Sequence, residues 1–364
     1  MNMVGRDQLI VELLSDEDEW ENFVATSPQG TFYHTLKWKR VLEMSFPVEA
    51  LYLAIRGSNR ALVGVCPFII RKELKVIKVL DSLPYSDYGG PLVMEEYAEP
   101  AMGVLLVHLK QLAHEKSIAY ARIRFSDKNL SQYYSAAASR VDTSTGTMML
   151  DLQEQPTDYL WEKVFTQKAS QRTYIRRFEK DGFENMEVES VDDLNMFYTL
   201  YYRNMNHIGG LTYAFNFFTT LWDSLYSDYF NIILTRRLQQ CIGAEAFFTY
   251  RPKNIVYQTC IGIDRSVGTQ YRVYYYLNWG LIKWAEKEGY RYVSFGSTPS
   301  DSQEAAHSLK SKFGAEFNQD YYVYLPFNRK LFLMREMVAK IWGKIGTRLP
   351  MLVRSKLMEK AYAR

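Results

Sequence analysis

Three short stretches of this chain carry residue types whose spacing suits the binding of anions and polar groups. KASQRTYIRRFEKDG (168–182) gathers Lys168, Arg172, Arg176, Arg177 and Lys180 on a short helical pattern. Arg172 and Arg176, four residues apart, share one helical face, while Ile175 and Phe178 anchor another. Two guanidinium groups at that spacing suit a phosphate or carboxylate clamp; a solvated helix face is the plainer alternative. SLPYSDYGGPL (82–92) reads as a turn-rich loop. Asp87 there is a candidate base or amine-orienting carboxylate, Tyr85 and Tyr88 are candidate substrate rings, and Gly89 and Gly90 let backbone approach a ligand closely. The alternative for Asp87 is a tight turn in which it satisfies only its own backbone. HSLKSKFGAE (307–316) sets Lys310 and Lys312 beside Phe313 and a glycine turn. Neither His34 nor His207 has a Ser or Cys nucleophile in a recognisable elbow nearby, so no hydrolase triad is expected.

The elements that must position these residues follow from periodicity. In residues 271–316, Val273, Tyr276, Leu277, Gly280, Leu281, Trp284 and Ala285 recur at three- and four-residue spacing and form one helical face. Gly289 can end that helix in the left-handed conformation, and Tyr290 to Gly296 alternates as a strand does. Earlier in the chain, a strand and an acidic helix start with Ser15 as a possible cap occupy 8–23, and a helix lies in 31–46. Two strands joined at Gly57–Ser58–Asn59 follow, then a helix ending near Lys116 and the strand IAYARIRFS (118–126). The same order of helix, hairpin, helix and strand returns about 170–180 residues later, with Gly243 standing opposite Gly64. The expectation is a mixed α/β chain with two copies of one domain, 1–150 and 151–328, joined near 142–156. Residues 329–364 form a basic amphipathic helical tail.

Composition narrows the classes. Apolar residues at 47% supply globular cores, and a net charge of +3 gives no overall nucleic-acid signature, so DNA is not an expected partner. Cys66, Cys241 and Cys260 lie in apolar runs without a CxxC or a nearby histidine, which points to buried reduced thiols and to no metal. The first twenty residues lack a basic region followed by an apolar core, and no apolar run reaches membrane-spanning length. A cytoplasmic protein is expected. The tail alone departs from this balance, with ten Lys/Arg against two Glu, and its stripe from Leu331 to Leu349 suggests an anionic membrane surface on the inner face of the membrane, or docking on the domain before it.

The order strand–helix–hairpin–strand–helix–strand resembles the GNAT acyltransferase fold. Two such domains, with TFYHTLKWKRVLE (31–43), LPYSDYGGPL (83–92), KASQRTYIRRFEKDGF (168–183), YRYVSFGST (290–298) and HSLKSKFGAE, look like the FemAB family and its FemAB-related, BioF2-like branch. The resemblance covers about residues 27–325 and implies transfer of an acyl or aminoacyl group onto an amine, without a covalent enzyme intermediate. Family members in wall synthesis take an amino acid from aminoacyl-tRNA and add it to a peptidoglycan precursor. It implies Lys310 as an oxyanion or phosphate partner, a donor at the splayed strands of the second domain, and an acceptor near the SDYGGP loop and the arginine helix, with Lys37 and Trp38 lining that cleft. Arg265, Gly268 and Gln270 stand where single GNAT enzymes hold the acyl-CoA pyrophosphate, keeping two of three anchors. The donor is therefore charged tRNA or acyl-CoA, the acceptor an envelope precursor or another amine. A CoA- or carrier-dependent N-acyltransferase and a catalytically silent binding protein are the alternatives.

Overall fold

The computed structural model describes residues 9–166, 171–238, 240–267 and 272–346. In chain order the first elements are β1 (Ile10–Leu13), α1 (Glu17–Thr26), α2 (Leu36–Ser45), β2 (Glu49–Arg56), β3 (Leu62–Glu73), β4 (Ile77–Asp81), β5 (Leu92–Val93), α3 (Ala98–Lys116), β6 (Tyr120–Phe125), α4 (Lys128–Gln132) and β7 (Arg140–Asp142). Then come β8 (Thr145–Asp151), α5 (Thr157–Tyr159), α6 (Gln171–Lys180), β9 (Glu184–Glu187), α7 (Val191–Ile208), α8 (Phe215–Leu225), β10 (Phe230–Arg237), β11 (Gln240–Tyr250) and β12 (Ile255–Ile263). The chain closes with α9 (Val273–Lys287), β13 (Tyr292–Pro299), α10 (Ala305–Ser311), β14 (Glu316–Gln319), β15 (Tyr321–Pro326) and α11 (Arg329–Gly346).

Local chemistry sets the ends of these elements. Asp16, one residue after the expected Ser15, caps α1 by accepting from the Glu19 amide at 2.9 Å, with three acidic residues in the first turn. Ser190 caps α7 and the Asp193 carboxylate answers it, a reciprocal box that satisfies free amides of the first turn. Gly289 (φ +76°) ends α9 as the sequence predicts: its amide reaches the Glu286 carbonyl, and the Tyr290 amide reaches that of Ala285.

Two compact units result, residues 9–145 with 319–346 and residues 146–318. The first has the sheet order β1-β2-β3-β4-β6-β15-β7, and the second β9-β10-β11-β12-β13-β8-β14. In both, three antiparallel strands lead to a strand that crosses over, through α3 or α9, to a parallel neighbour. Gly64 pairs with Ile55 and Gly243 with Thr235, each one step before a register shift in its hairpin. The repeat therefore extends to single residues. One strand breaks it: β8 follows β7 in the chain but lies in the second sheet, whereas β15 follows β14 and lies in the first. The boundary expected at 328 differs accordingly, because β15 bonds β6 and β7 and α11 continues that unit.

Each unit has its own core. Leu51, Leu53, Phe68, Leu80, Ile123 and Val323 meet the α3 residues Met102, Leu105 and Leu109 in the first. Leu150, Phe247, Val256, Val293 and Phe295 meet Leu277 and Leu281 of α9 in the second. A smaller apolar cluster of Ile77, Val79, Tyr120, Tyr324 and Phe332 lies apart from this core in the first unit, beside several buried charges.

Candidate active site

In the first unit the ladder between the parallel strands β4 and β6 lasts three residues, Val79–Asp81 against Tyr120–Arg122. Beyond it the loop 82–91 fills the gap. The Ser82 amide donates to the Arg122 carbonyl, and the Arg124 amide donates to Ser82 Oγ at 2.8 Å. Gly90, at φ +105°, passes so close to the Arg124 carbonyl that a Cβ would sit 2.0 Å from its oxygen, so only glycine fits. Leu83 (φ +55°) and Tyr85 (φ +65°) take left-handed backbone without being glycine, a strain that clusters at ligand-handling loops. Ser86 Oγ donates within the turn to the Leu83 and Tyr88 carbonyls, and Tyr85 stacks on Phe46 at 4.2 Å.

His34 pins this loop from behind. It is 1% exposed, and Thr31 Oγ1 lies 2.7 Å from Nδ1 while Gly90 O lies 3.1 Å from Nε2. A carbonyl only accepts, so Nε2 carries the proton and Nδ1 accepts from Thr31. Burial pushes this imidazole down to about 4, with the Arg124 charge adding to it against the Gly90 bond. In front of the loop, the buried Arg124 guanidinium binds Asp320 of the chain end, donates to the Ser86 carbonyl and lies over the Tyr88 and Tyr322 rings. Asp87 is half-buried within the field of both Arg124 and Asp320. Thr31, His34, Tyr88, Arg124, Ser126 and Asp320 line a cavity of about 20 Å³, room for one water-sized group.

Further buried charges lie on the same sheet. Asp81, 2% exposed, accepts from both Arg71 and Arg122. Glu73, also 2% exposed, accepts from Arg71, Tyr120 and Arg335 of α11. Burial alone would raise the Glu73 carboxyl, but Arg71 and Arg335 more than offset it and hold it near 2.

In the second unit the parallel pair β12 and β13 is likewise bonded over only three residues, Ile255–Tyr257 against Tyr292–Ser294. Here both strands run on, to Ile263 and Pro299, without further pairs between them among the described residues. Lys310 of α10 reaches the stretch of β13 beyond its pairs with β12, with Nζ 2.7 Å from the Ser297 carbonyl and 2.9 Å from Thr298 Oγ1. Behind β12 lies a buried polar ladder. Gln258, one residue past the last pair, donates to Glu245 and, at 2.8 Å, to Asn278 of α9. Glu245 is 0% exposed, its Oε2 has no hydrogen-bond partner among the described residues, and burial pushes its carboxyl up to about 8 against the Gln258 bond, so it is largely protonated at neutral pH.

The sequence-derived candidates divide as follows. Asp87, Tyr85, Tyr88, Gly89 and Gly90 share the strained loop, and Lys310 stands at the splayed strands. Arg172 and Arg176 flank one ring, their guanidinium carbons 6.0 and 5.5 Å from the centre of Trp161. Arg172 Nε donates to the Phe165 carbonyl at 2.6 Å, and no ion pair to either arginine occurs among the described residues. Trp38 corrects the expectation of a cleft residue. It is 1% exposed and packs edge-on against Tyr33 at 5.3 Å, because it shares the inward stripe of α2 with Val41 and Leu42. Lys37 beside it is half-buried. Arg265 donates to Asn204 of α7 at 3.0 Å, while Gly268 and Gln270, like Lys168 and the end of the tail, lie outside the described residues. Among the described residues no cluster of three metal-ligating side chains occurs.

Sequence reasoning missed Arg122, Arg124, Asp320 and Glu245. A signal existed for three of them. Tyr120, Arg122 and Arg124 alternate with apolar residues in YARIRF, which marks a polar strand face, and Glu245 is the lone charge in the apolar run GAEAFF. Asp320 belongs to the exchanged strand segment and gave none.

These two units define a tandem GNAT-like architecture. Comparison with solved structures agrees. FemX superposes with a TM-score of 0.67 at 14% identity, over 90% of this chain and 99% of that one. A C-terminal domain of a putative lysylphosphatidylglycerol synthetase from Agrobacterium fabrum gives 0.58 at 11% identity, over 90% and 96% of the two chains. A tandem GNAT protein from the clavulanic acid biosynthesis pathway gives 0.58 at 12%, over 87% and 97%. At such identities the likeness is one of fold. No protein-family model and no curated protein matches the sequence.

Proposed function

We propose that this protein is an acyl- or aminoacyltransferase that places an amino acid or acyl group on an amine of a cell-envelope precursor. The observation that carries the reading is the contrast between the two splayed strand pairs. In the first unit the protein's own loop fills the gap; in the second, β12 and β13 run on without further pairs to each other among the described residues, with Lys310 at β13. Two strand edges that diverge can offer amide and carbonyl groups between them to an extended, amide-bearing donor, as a sheet edge does to a peptide. The strained loop of the first unit, with Asp87 near Arg124, is a separate candidate binding element. The acceptor nitrogen attacks the donor carbonyl carbon, the C–N bond forms as the carbonyl becomes an oxyanion, and the donor's thiolate or ribose oxygen leaves. The proton lost by the nitrogen passes to water or a buffer base. A cation at the reacting carbonyl would stabilise the oxyanion, the role proposed for Lys310.

Support for the envelope acceptor comes from the likeness to FemX and to the lysylphosphatidylglycerol synthetase domain. Calorimetry with charged tRNA and with acetyl-CoA, at one fixed salt concentration, separates the two donor classes. Saturable binding of either one, followed by transfer to an amine acceptor, supports the reading; binding of neither defeats it. Lys310→Ala should lower the transfer rate about 10²–10³-fold, the size of one lost oxyanion partner. Its melting temperature should stay within a few degrees of the parent's. A variant of full activity removes Lys310 from the mechanism.

A further inference from the structure

We infer that α11 is a membrane-surface anchor whose outward face lies on an anionic lipid bilayer, an inference independent of the transfer chemistry. The inward face of the helix is already used. Phe332, 4% exposed, packs edge-on to Tyr120 at 5.3 Å, Arg335 binds Glu73 at 3.1 Å, and Glu336 binds Arg140 at 3.0 Å. Those contacts fix the rotation of the helix and decide what points away from the sheet. At 100° per residue, Leu333, Met337, Ile341 and Met334 fall within an arc of about 100° on the opposite side. They are 56%, 58%, 47% and 39% exposed. Four large apolar side chains on one helical face are more than the scattered surface apolars of an ordinary monomer.

Charge selects the occupant. Residues 329–364 carry ten Lys/Arg against two Glu, a net +8, although the whole chain is only +3. The rest of the chain is thus net −5, and the positive charge is concentrated on the segment that bears the apolar face. Lys330, at the N-terminal end of that face, and Lys340, at its edge, are exposed. An apolar stripe bordered by cations is the pattern that inserts at the boundary of headgroups and acyl chains, with each nearby Lys or Arg adding attraction to an anionic leaflet. A second copy of this chain would bring the same +8 against itself and is disfavoured. Among the described residues no helix is long and apolar enough to cross a membrane, so the contact described is one that lies on the surface.

The test is flotation of the full chain with vesicles of phosphatidylcholine containing 30% phosphatidylglycerol, beside vesicles of phosphatidylcholine alone. The expected result is binding to the anionic vesicles that falls at least tenfold on the neutral ones and at least tenfold in 0.5 M salt. The double variant Met337→Asp with Ile341→Asp should lose at least tenfold in binding and keep the parent's circular dichroism and melting temperature, since both residues are exposed. As a check on that variant, Met337→Leu with Ile341→Leu should bind like the parent. Absence of binding to the anionic vesicles overturns the inference, as does binding that the aspartates leave unchanged. Self-association in sedimentation that the aspartates abolish, without vesicle binding, overturns it in favour of a dimer.

Discussion

Two buried titratable side chains work in opposite directions on stability. His34 is neutral in the fold and must gain a proton on unfolding in acid, so its contribution is complete above its ordinary value of 6.5 and is lost as pH falls toward about 4. The slope is about 1.4 kcal/mol per pH unit across that window. His34→Asn keeps a donor toward Gly90 without the titration, so its melting temperature should fall less between pH 6.5 and 4 than that of the parent; equal slopes would exclude His34. Glu245 has the opposite sign. Its folded value, about 8, lies above the ordinary 4.5, so its contribution is complete below 4.5 and is lost as pH rises through 8. Glu245→Gln, which still accepts from Gln258, should flatten the stability profile between pH 4.5 and 8, read by urea unfolding at a series of pH values. A parent-like slope would show that the carboxyl is not held protonated. Gly90→Ala tests the close approach itself: a Cβ against the Arg124 carbonyl at positive φ should cost more than about 3 kcal/mol, or displace the loop.

Loops and helices were legible to different degrees, for physical reasons. Helices such as α9 showed themselves because burial on one face enforces a 3.6-residue period and a glycine stop, both written locally. The loop 82–91 was visible as turn residues, but its strain was not: Leu83 and Tyr85 are residue types that rarely take left-handed backbone, so nothing local announces it. Trp38 was placed in the cleft by resemblance, while its own helical face already assigned it to the core. The C-terminal helix shows how an ion pair distant in sequence fixes an element. Arg335 reaches Glu73 with 15% of its side chain exposed, against 3% for the side chain of Glu73. Arg335→Ala leaves Glu73 its contacts to Arg71 and Tyr120, so the cost should be about 1–3 kcal/mol, at or below the range for breaking a buried pair. Hydrogen exchange should then locate the loss in the first turns of α11. Unchanged protection there would mean that Phe332 and the Glu336–Arg140 pair hold the helix without it.

At the scale of the whole chain, the sequence reading recovered two copies of one domain and missed the strand that each half lends to the other. The reason is that β8 and β15 occupy equivalent sheet positions, and local pattern does not say which sheet a strand joins. The exchange has an energetic consequence. Residues 1–145 contain most of the first sheet, yet they lack β15, whose Val323 and Leu325 are almost fully buried, and Asp320, the partner of the buried Arg124. Two such apolar side chains contribute about 3–6 kcal/mol. An arginine left buried without its carboxylate costs about 3–5 kcal/mol more. Together these approach or exceed the entire stability of a typical domain, about 5–15 kcal/mol. A fragment of residues 1–145 should therefore be unfolded or molten, with little near-ultraviolet circular dichroism, and should gain a cooperative transition when mixed with a peptide of residues 319–346. The fragment 146–318 has its complete sheet, β8 included, and should unfold cooperatively alone. If residues 1–145 fold by themselves with near-native stability, then β15 only covers the first unit and does not hold it together.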